Sequence, residues 1–226
     1  MARFSSNRFC NLFLPVCVYY DEAKNGVFVN NNEPDILRLS MKGDETAFNQ
    51  IVESFQKPVF NLCYRMLGNS EAAEDAAQET FWRAFQSIKK YNPDRSFATW
   101  LLSIAAHYCI DQHRKRKLPV LDIDDILAET APDHNTPNPE TVTMQKEHQT
   151  QIQALLNELS ELDRASIVLR YWHECSEEEI SQVLDISINA VKSRLHRARK
   201  KLAIAWQTQN QTSSQVERMK NGSPAF

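Results

Sequence analysis

The stretch Ser176–Leu202, SEEEISQVLDISINAVKSRLHRARKKL, reads as two short helices around a tight turn. Ser176 followed by Glu179 is a capping-box spacing, in which hydroxyl and carboxylate satisfy amides left free where a helix starts. Ile180 and Val183 give that helix an apolar side, and Leu184-Asp185-Ile186 interrupts the run. Asp185 falls at the turn, and Asp tolerates the left-handed conformation better than most residues. Ser187 is placed to cap a second helix, along which Val191, Leu195 and Leu202 keep an inward stripe. That helix also carries Lys192, Arg194, Arg197, Arg199, Lys200 and Lys201 with no acid among them. Side chains so cationic repel one another unless a polyanion neutralises them, and duplex DNA presents a dense line of phosphates. A solvated basic face is the commoner meaning of a charge run. Here the capped helix and short turn ahead of it favour a helix-turn-helix.

The rest of the chain suits that reading. Only 4 Gly in 226 residues argues against many tight hairpins and for helices, while 42% apolar residues allow a packed core. The net charge of −3 conceals segregation: basic clusters sit at 113–117 and 192–201, acids at 71–79, 121–133 and 174–179. Such a layout gives a protein separate faces for nucleic acid and for protein. The 5 cysteines are scattered without a CxxC pair, so neither a disulfide framework nor a zinc site is indicated. Cys63 and Cys109 fall in apolar helical stretches and read as core residues, and the expected compartment is the reducing cytoplasm. The apolar run at 9–20, FCNLFLPVCVYY, is too short to span a bilayer, and no small-residue cleavage site follows it. An extension outside the fold and an upstream start codon both remain open for it.

Periodicity divides the remainder into an all-α chain of two small helical domains joined by an acidic, Pro-rich linker. The expected divisions are an extension at 1–33, a first domain at 34–117, a linker at 118–143, a second domain at 144–206 and a disordered polar tail at 207–226. In the first domain a helix around Ile36–Met41 ends at Lys42-Gly43, and Asp44 caps the next. Phe48, Ile51, Val52, Phe55, Val59, Leu62, Cys63 and Met66 then recur at helical steps. Pro58 within that pattern predicts a kink or a restart. Gly68-Asn69-Ser70 closes it, with Ser70 the expected cap. From about Glu71 to Lys90, Ala77, Phe81, Ala84, Phe85 and Ile88 share the core side. Asp75, Gln78, Glu79 and Trp82 form an acidic strip with an aromatic on the opposite side. After the loop Asn92-Pro93-Asp94-Arg95, Ser96 caps a long helix, SFATWLLSIAAHYCIDQHRKRK.

Three stretches in this order, AFNQIVESFQKPVFNLCYRMLGNSEAAEDAAQETFWRAF, SFATWLLSIAAHYCIDQHRKRK and LSELDRASIVLRYWHECSEEEISQVLDISINAVKSRLHRARKKL, resemble the extracytoplasmic-function sigma factors, small subunits that direct bacterial RNA polymerase to promoters. The resemblance spans roughly residues 35–204. It implies that Asp75, Gln78 and Glu79, with Trp82 at the edge, dock on the clamp helices of the largest polymerase subunit, and that the second-largest subunit is also contacted. It further implies that the loop at Asn92 and Arg95 and the helix bearing His107, Asp111, Arg114, Lys115, Arg116 and Lys117 hold the minus-10 element. A cationic groove with aromatics suits melted DNA, and Tyr108 is available there, whereas Phe97 and Trp100 read first as core. His107 and Ser103 stand where many family members have Asn and Arg. Minus-35 contacts map onto Asn189, Lys192, Ser193, His196 and Arg197. Arg199 and Lys200 track phosphates, and Arg197 is the preferred base-reading residue. Family habit adds an anti-sigma factor as a candidate partner and a linker that threads through the polymerase.

Two rivals stand beside this reading. A conventional helix-turn-helix regulator would bind duplex sites tightly by itself as a symmetric dimer. A metal-dependent helical enzyme is prompted by His107, Cys109 and His113, and by His173 with Cys175. A two-residue step on a helix points Cys109 away from His107, and the second pair lacks further ligands. No nucleophile–base pair, glycine-rich phosphate loop or HExxH motif occurs, so a non-enzyme with no metal or cofactor is expected.

Overall fold

The computed structural model describes residues 33–117 and 149–221. Chain order gives α1 (Glu33–Met41), α2 (Glu45–Leu67), α3 (Ser70–Ser87) with a 3₁₀ turn at Ile88–Lys90, and α4 (Phe97–Lys117). After these come α5 (helical over 149–157), α6 (Glu161–Trp172), α7 (Glu177–Leu184) and α8 (Ile188–Asn221). No strand occurs among the described residues, and the fold is all-helical. The expected linker and most of the N-terminal extension lie outside the described residues.

The first four helices form a bundle in which α2 packs against α1, α3 and α4, and α3 against α4. Asp44 caps α2, its carboxylate accepting from the Thr46 and Ala47 amides at 2.9 and 3.1 Å. Gly68 closes α2 at φ 76°, where the left-handed region favours a residue without Cβ. Val52, Val59, Leu62, Cys63 and Met66 are fully buried along α2, and aliphatic side chains so buried stabilise by about 1.5–3 kcal/mol each. That burial lies on both sides of Pro58, and α2 runs through the proline as one continuous helix, which excludes the restart of the two expected alternatives. The missing hydrogen bond costs about 3 kcal/mol, which the flanking apolar contacts offset. A second correction concerns α3, whose cap is Asn69 rather than Ser70, its Oδ1 accepting from the Ala72 amide at 2.8 Å. Ser70 is already the first helical residue.

The helices after residue 149 form a second unit. Within it α6 packs against α7 and α8, and α7 against α8. Ser160 caps α6, its Oγ accepting from the Asp163 amide at 3.4 Å. Ser176 and Glu179 form the full capping box at α7, with bonds of 3.1 and 2.7 Å. Asp185 ends α7 at φ 52°, ψ 49°, in the left-handed region, as the turn requires. Ser187 Oγ accepts from the Ala190 amide at 3.2 Å, and Val191, Leu195 and Ala198 seat α8 on the core. Beyond Trp206, α8 continues to Asn221, through residues expected to be a disordered tail. Low hydrophobicity marks that stretch as unable to bury surface, but residues 207–220 contain neither Gly nor Pro to stop a helix already nucleated upstream.

One apolar core runs through both units. Across their boundary α4 packs against α7, and α2 against α6. The contact is also polar. Arg164 of α6, 5% exposed, donates from Nη1 to the Met66 carbonyl at 2.6 Å, and His113 Nε2 of α4 lies against the same oxygen. Gln153 Nε2 donates to the Arg65 carbonyl at 3.2 Å, and the Arg65 guanidinium covers the Trp172 ring at 4.2 Å.

Candidate nucleic-acid and polymerase interfaces

Three charged surfaces stand on different elements. On α3, Ala73, Ala76, Ala77, Thr80, Phe81 and Ala84 are buried, which fixes the rotation of the helix. The other side then carries Asp75, exposed, Gln78 and Glu79, half-buried, and Trp82, 40% exposed. Steps of three and four bring these four residues onto one strip. Glu79 Oε1 accepts from Arg83 Nε at 2.7 Å, so the strip is partly neutralised at its C-terminal end. Phe85 is only partly buried, at the edge of the core side.

The loop and α4 form the second surface. Asn92 is exposed, but its side chain is committed locally: Oδ1 accepts from the Asp94 amide at 3.0 Å, and its carbonyl from the Arg95 amide at 3.1 Å. The Arg95 carbonyl in turn accepts from the Tyr91 hydroxyl. This loop is therefore a built turn that presents the exposed Arg95 side chain. Phe97 is buried and Trp100 half-buried in a cluster with Tyr91, ring centroids 5.2–5.3 Å apart, so both are core residues first. Along α4, His107, Asp111, Arg114 and Lys115 are exposed. His107 Nδ1 is 2.8 Å from the Ser103 carbonyl, and Asp111 pairs loosely with Arg114 at 3.9 Å. Arg116 and Lys117 occupy the last turn of the helix. Tyr108, half-buried, lies beneath the Arg83 guanidinium at 4.8 Å. Sequence reading missed this cross-helix contact, since nothing local pairs a residue of α3 with one of α4.

The third surface is the outer side of α8, where Asn189, Lys192, Ser193, His196, Arg197, Arg199 and Lys200 are all exposed. The cations are less self-repelling than the sequence suggests. Lys192 Nζ is 3.6 Å from Glu177 of α7, Arg194 Nη1 is 2.9 Å from Asp163 of α6, and Arg197 Nη2 is 3.8 Å from the same Asp163 oxygen. Lys201 donates to the Glu158 carbonyl. Asp163 went unremarked in the sequence because its partners stand some thirty residues further along the chain.

Buried titratable groups lie away from these surfaces. Burial, and then the Arg65 charge, push the His173 imidazole down to about 4. Burial, reinforced by Glu179, pushes the Cys175 thiol up to about 12, so it is a poor nucleophile at neutral pH. Cys63 and Cys109 are fully buried, and Cys63 is raised by its hydrogen bond to Cys109 and by burial. Among the described residues no three His, Cys, Asp or Glu side chains converge as a metal would need, and no helix is long and apolar enough to cross a membrane.

Comparison with known proteins agrees with the all-helical fold. Residues 51–118 match the family Sigma-70 region 2, and residues 149–202 match Sigma-70, region 4. The chain is 39% identical over 170 residues to the ECF RNA polymerase sigma factor SigW of Bacillus subtilis (strain 168), covering 71% of this chain and 89% of that one. It is 32% identical over 166 residues to the ECF RNA polymerase sigma-E factor of Escherichia coli (strain K12), covering 70% and 85%. Among solved structures it resembles CnrH in complex with the cytosolic domain of CnrY (TM-score 0.60, 23% identity, 79% of this chain and 99% of that one). It also resembles the sigma factor RpoE in complex with the anti-sigma factor NepR from Bartonella quintana (TM-score 0.56, 23% identity, 71% and 96%). The chain therefore belongs to the extracytoplasmic-function sigma factors of the sigma-70 family. It is an alternative sigma factor that directs RNA polymerase, and its helix-turn-helix is region 4 of that family rather than the reading head of a conventional dimeric regulator.

Proposed function

We propose that the three surfaces divide the work of initiation in the cytoplasm. The α3 strip of Asp75, Gln78, Glu79 and Trp82 grips the clamp helices of the polymerase core. Arg95 and the exposed side of α4 hold the melted minus-10 strand, and the outer side of α8 reads the minus-35 duplex. The observation that carries this reading is spatial segregation. The acidic strip and the two cationic surfaces belong to different helices, each rotated into place by its own buried stripe. One polypeptide can then hold a protein and two stretches of DNA at once. Asn92 acts by shaping its loop, since its side chain oxygen is already used. The similarly folded sigma factor RpoE, solved in complex with the anti-sigma factor NepR, favours an anti-sigma factor as a further partner.

Reversing charge on the strip is the direct test. Asp75 is exposed, so Asp75→Arg leaves folding intact. We expect it to weaken binding to polymerase core at least tenfold, about 1.4 kcal/mol, since a like charge replaces an attractive one. A fluorescence titration of labelled chain with core polymerase checks this, and unchanged affinity would remove the docking assignment.

A further inference from the structure

The six cations of the recognition helix are not equivalent. Arg194 turns inward: its side chain is 23% exposed, and Nη1 stands 2.9 Å from Asp163 Oδ1, itself on a side chain only 17% exposed. Arg197, one turn further on, is 61% exposed, and its Nη2 is 3.8 Å from that same oxygen. Asp163 belongs to the first turn of α6, where its backbone amide is already held by the Ser160 cap. The carboxylate is thus fixed by a helix other than the one that would enter the groove. An acid placed beside a DNA-reading surface opposes phosphate binding, so general affinity gives no reason for it. Orientation does. A flexible arginine loses rotamer freedom when it reads a base, and a neighbour that restrains it beforehand reduces that loss. At 3.8 Å the Arg197 contact is an ion pair without a hydrogen bond, so the carboxylate draws one corner of the rigid guanidinium fork while its five N–H donors stay free for a base.

We propose that Asp163 is a positioning residue for minus-35 readout. It pins Arg194 against α6 and, through the same oxygen, restrains Arg197 so that its outer edge meets a guanine. The inference rests on the assignment of Arg197 to duplex readout. Arg194, committed to Asp163 and mostly covered, makes no base contact of its own. A purely structural ion pair between α6 and α8 would have a different signature: Asp163 variants would melt earlier and still choose the same promoters.

The test uses holoenzyme, reconstituted from the full chain and bacterial core polymerase, on a promoter library with a fixed minus-10 element and a randomised minus-35 element. Wild-type holoenzyme should show a guanine preference at one position that Arg197→Ala abolishes. Asp163→Asn should lower that preference roughly tenfold at the same position. It should also bind random duplex somewhat more tightly, because a negative charge has left the DNA face. Asp163→Glu, which keeps the charge, should recover most of the preference. Should Asp163→Asn not fold, Asp163→Ser, acceptable in a helix first turn, repeats the comparison. Arg197→Ala losing the preference while folded Asp163→Asn keeps it would overturn the positioning role and leave the minus-35 assignment standing. Arg197→Ala leaving every preference unchanged would overturn both.

Discussion

His173 follows α6 with its imidazole 4% exposed and its Nε2 buried without a hydrogen-bond partner. Burial and the Arg65 charge hold its pKa at about 4, against an ordinary value of 6.5. Between those values the unfolded chain takes up a proton that the folded chain refuses. Stability should therefore fall as pH drops from about 6.5 to about 4 and gain nothing from this group above that window. The full difference is of order 3 kcal/mol. Urea unfolding at several pH values should show a flatter acid limb in His173→Gln than in wild type, and identical limbs would contradict the assigned burial. None of this was legible in the sequence, where His173 and Cys175 stood out only as a metal-like pair. Burial of a single imidazole depends on tertiary packing, and the Arg65 charge acting on it comes from the distant α2. Capping residues were legible for the opposite reason. Asp44, Ser176 with Glu179, and Ser187 act on amides two or three residues away, so their partners are written beside them.

Where helices begin and end, local chemistry mostly decides, and the turn between α7 and α8 shows how far it reaches. Asp185 adopts φ 52°, ψ 49°, a conformation that costs an ordinary side chain about 1–2 kcal/mol and a β-branched one more. Asp185→Gly should hold or slightly raise the melting temperature, whereas Asp185→Val should destabilise by about 2 kcal/mol and loosen the angle of α8. Thermal melts of the three chains measure this, and a Val variant as stable as wild type would remove the turn from the account. The restart allowed at Pro58 does not occur, and α8 runs further than expected, for physical reasons. A proline interrupts one hydrogen bond, but the buried stripe on either side of Pro58 keeps α2 whole. The polar continuation of α8 after Trp206 extends a helix anchored upstream by Val191, Leu195 and Ala198. Periodicity identified the apolar sides well, because a face repeats every three or four residues whatever it packs against. The acidic strip of α3 and the outer side of α8 were legible as the complements of those stripes.

At the scale of the whole molecule, the two helical units close on one another around the end of α2. The Met66 carbonyl receives Arg164 from a position 98 residues away, a contact no sequence pattern announces. The exposed residues assigned to polymerase and DNA remain outside this contact. Arg164→Met removes the buried charge-assisted bond, worth about 1.5–3 kcal/mol. It should expand the free chain in small-angle scattering while leaving the helical circular dichroism unchanged. A radius of gyration equal to wild type would show that the apolar contact between α4 and α7 suffices to hold the closure.

Promoter selection by the chain bound to polymerase is the claim on which these scales converge. Purified chain added to bacterial core polymerase on genomic DNA, with every transcript 5′ end sequenced, measures it directly. We expect a set of starts that depend on the added chain and share two upstream motifs. Asp75→Arg should reduce that set as a whole, and Arg197→Ala with Lys192→Ala should erase the upstream motif of the two. An unchanged pattern of starts with and without the chain would contradict the account.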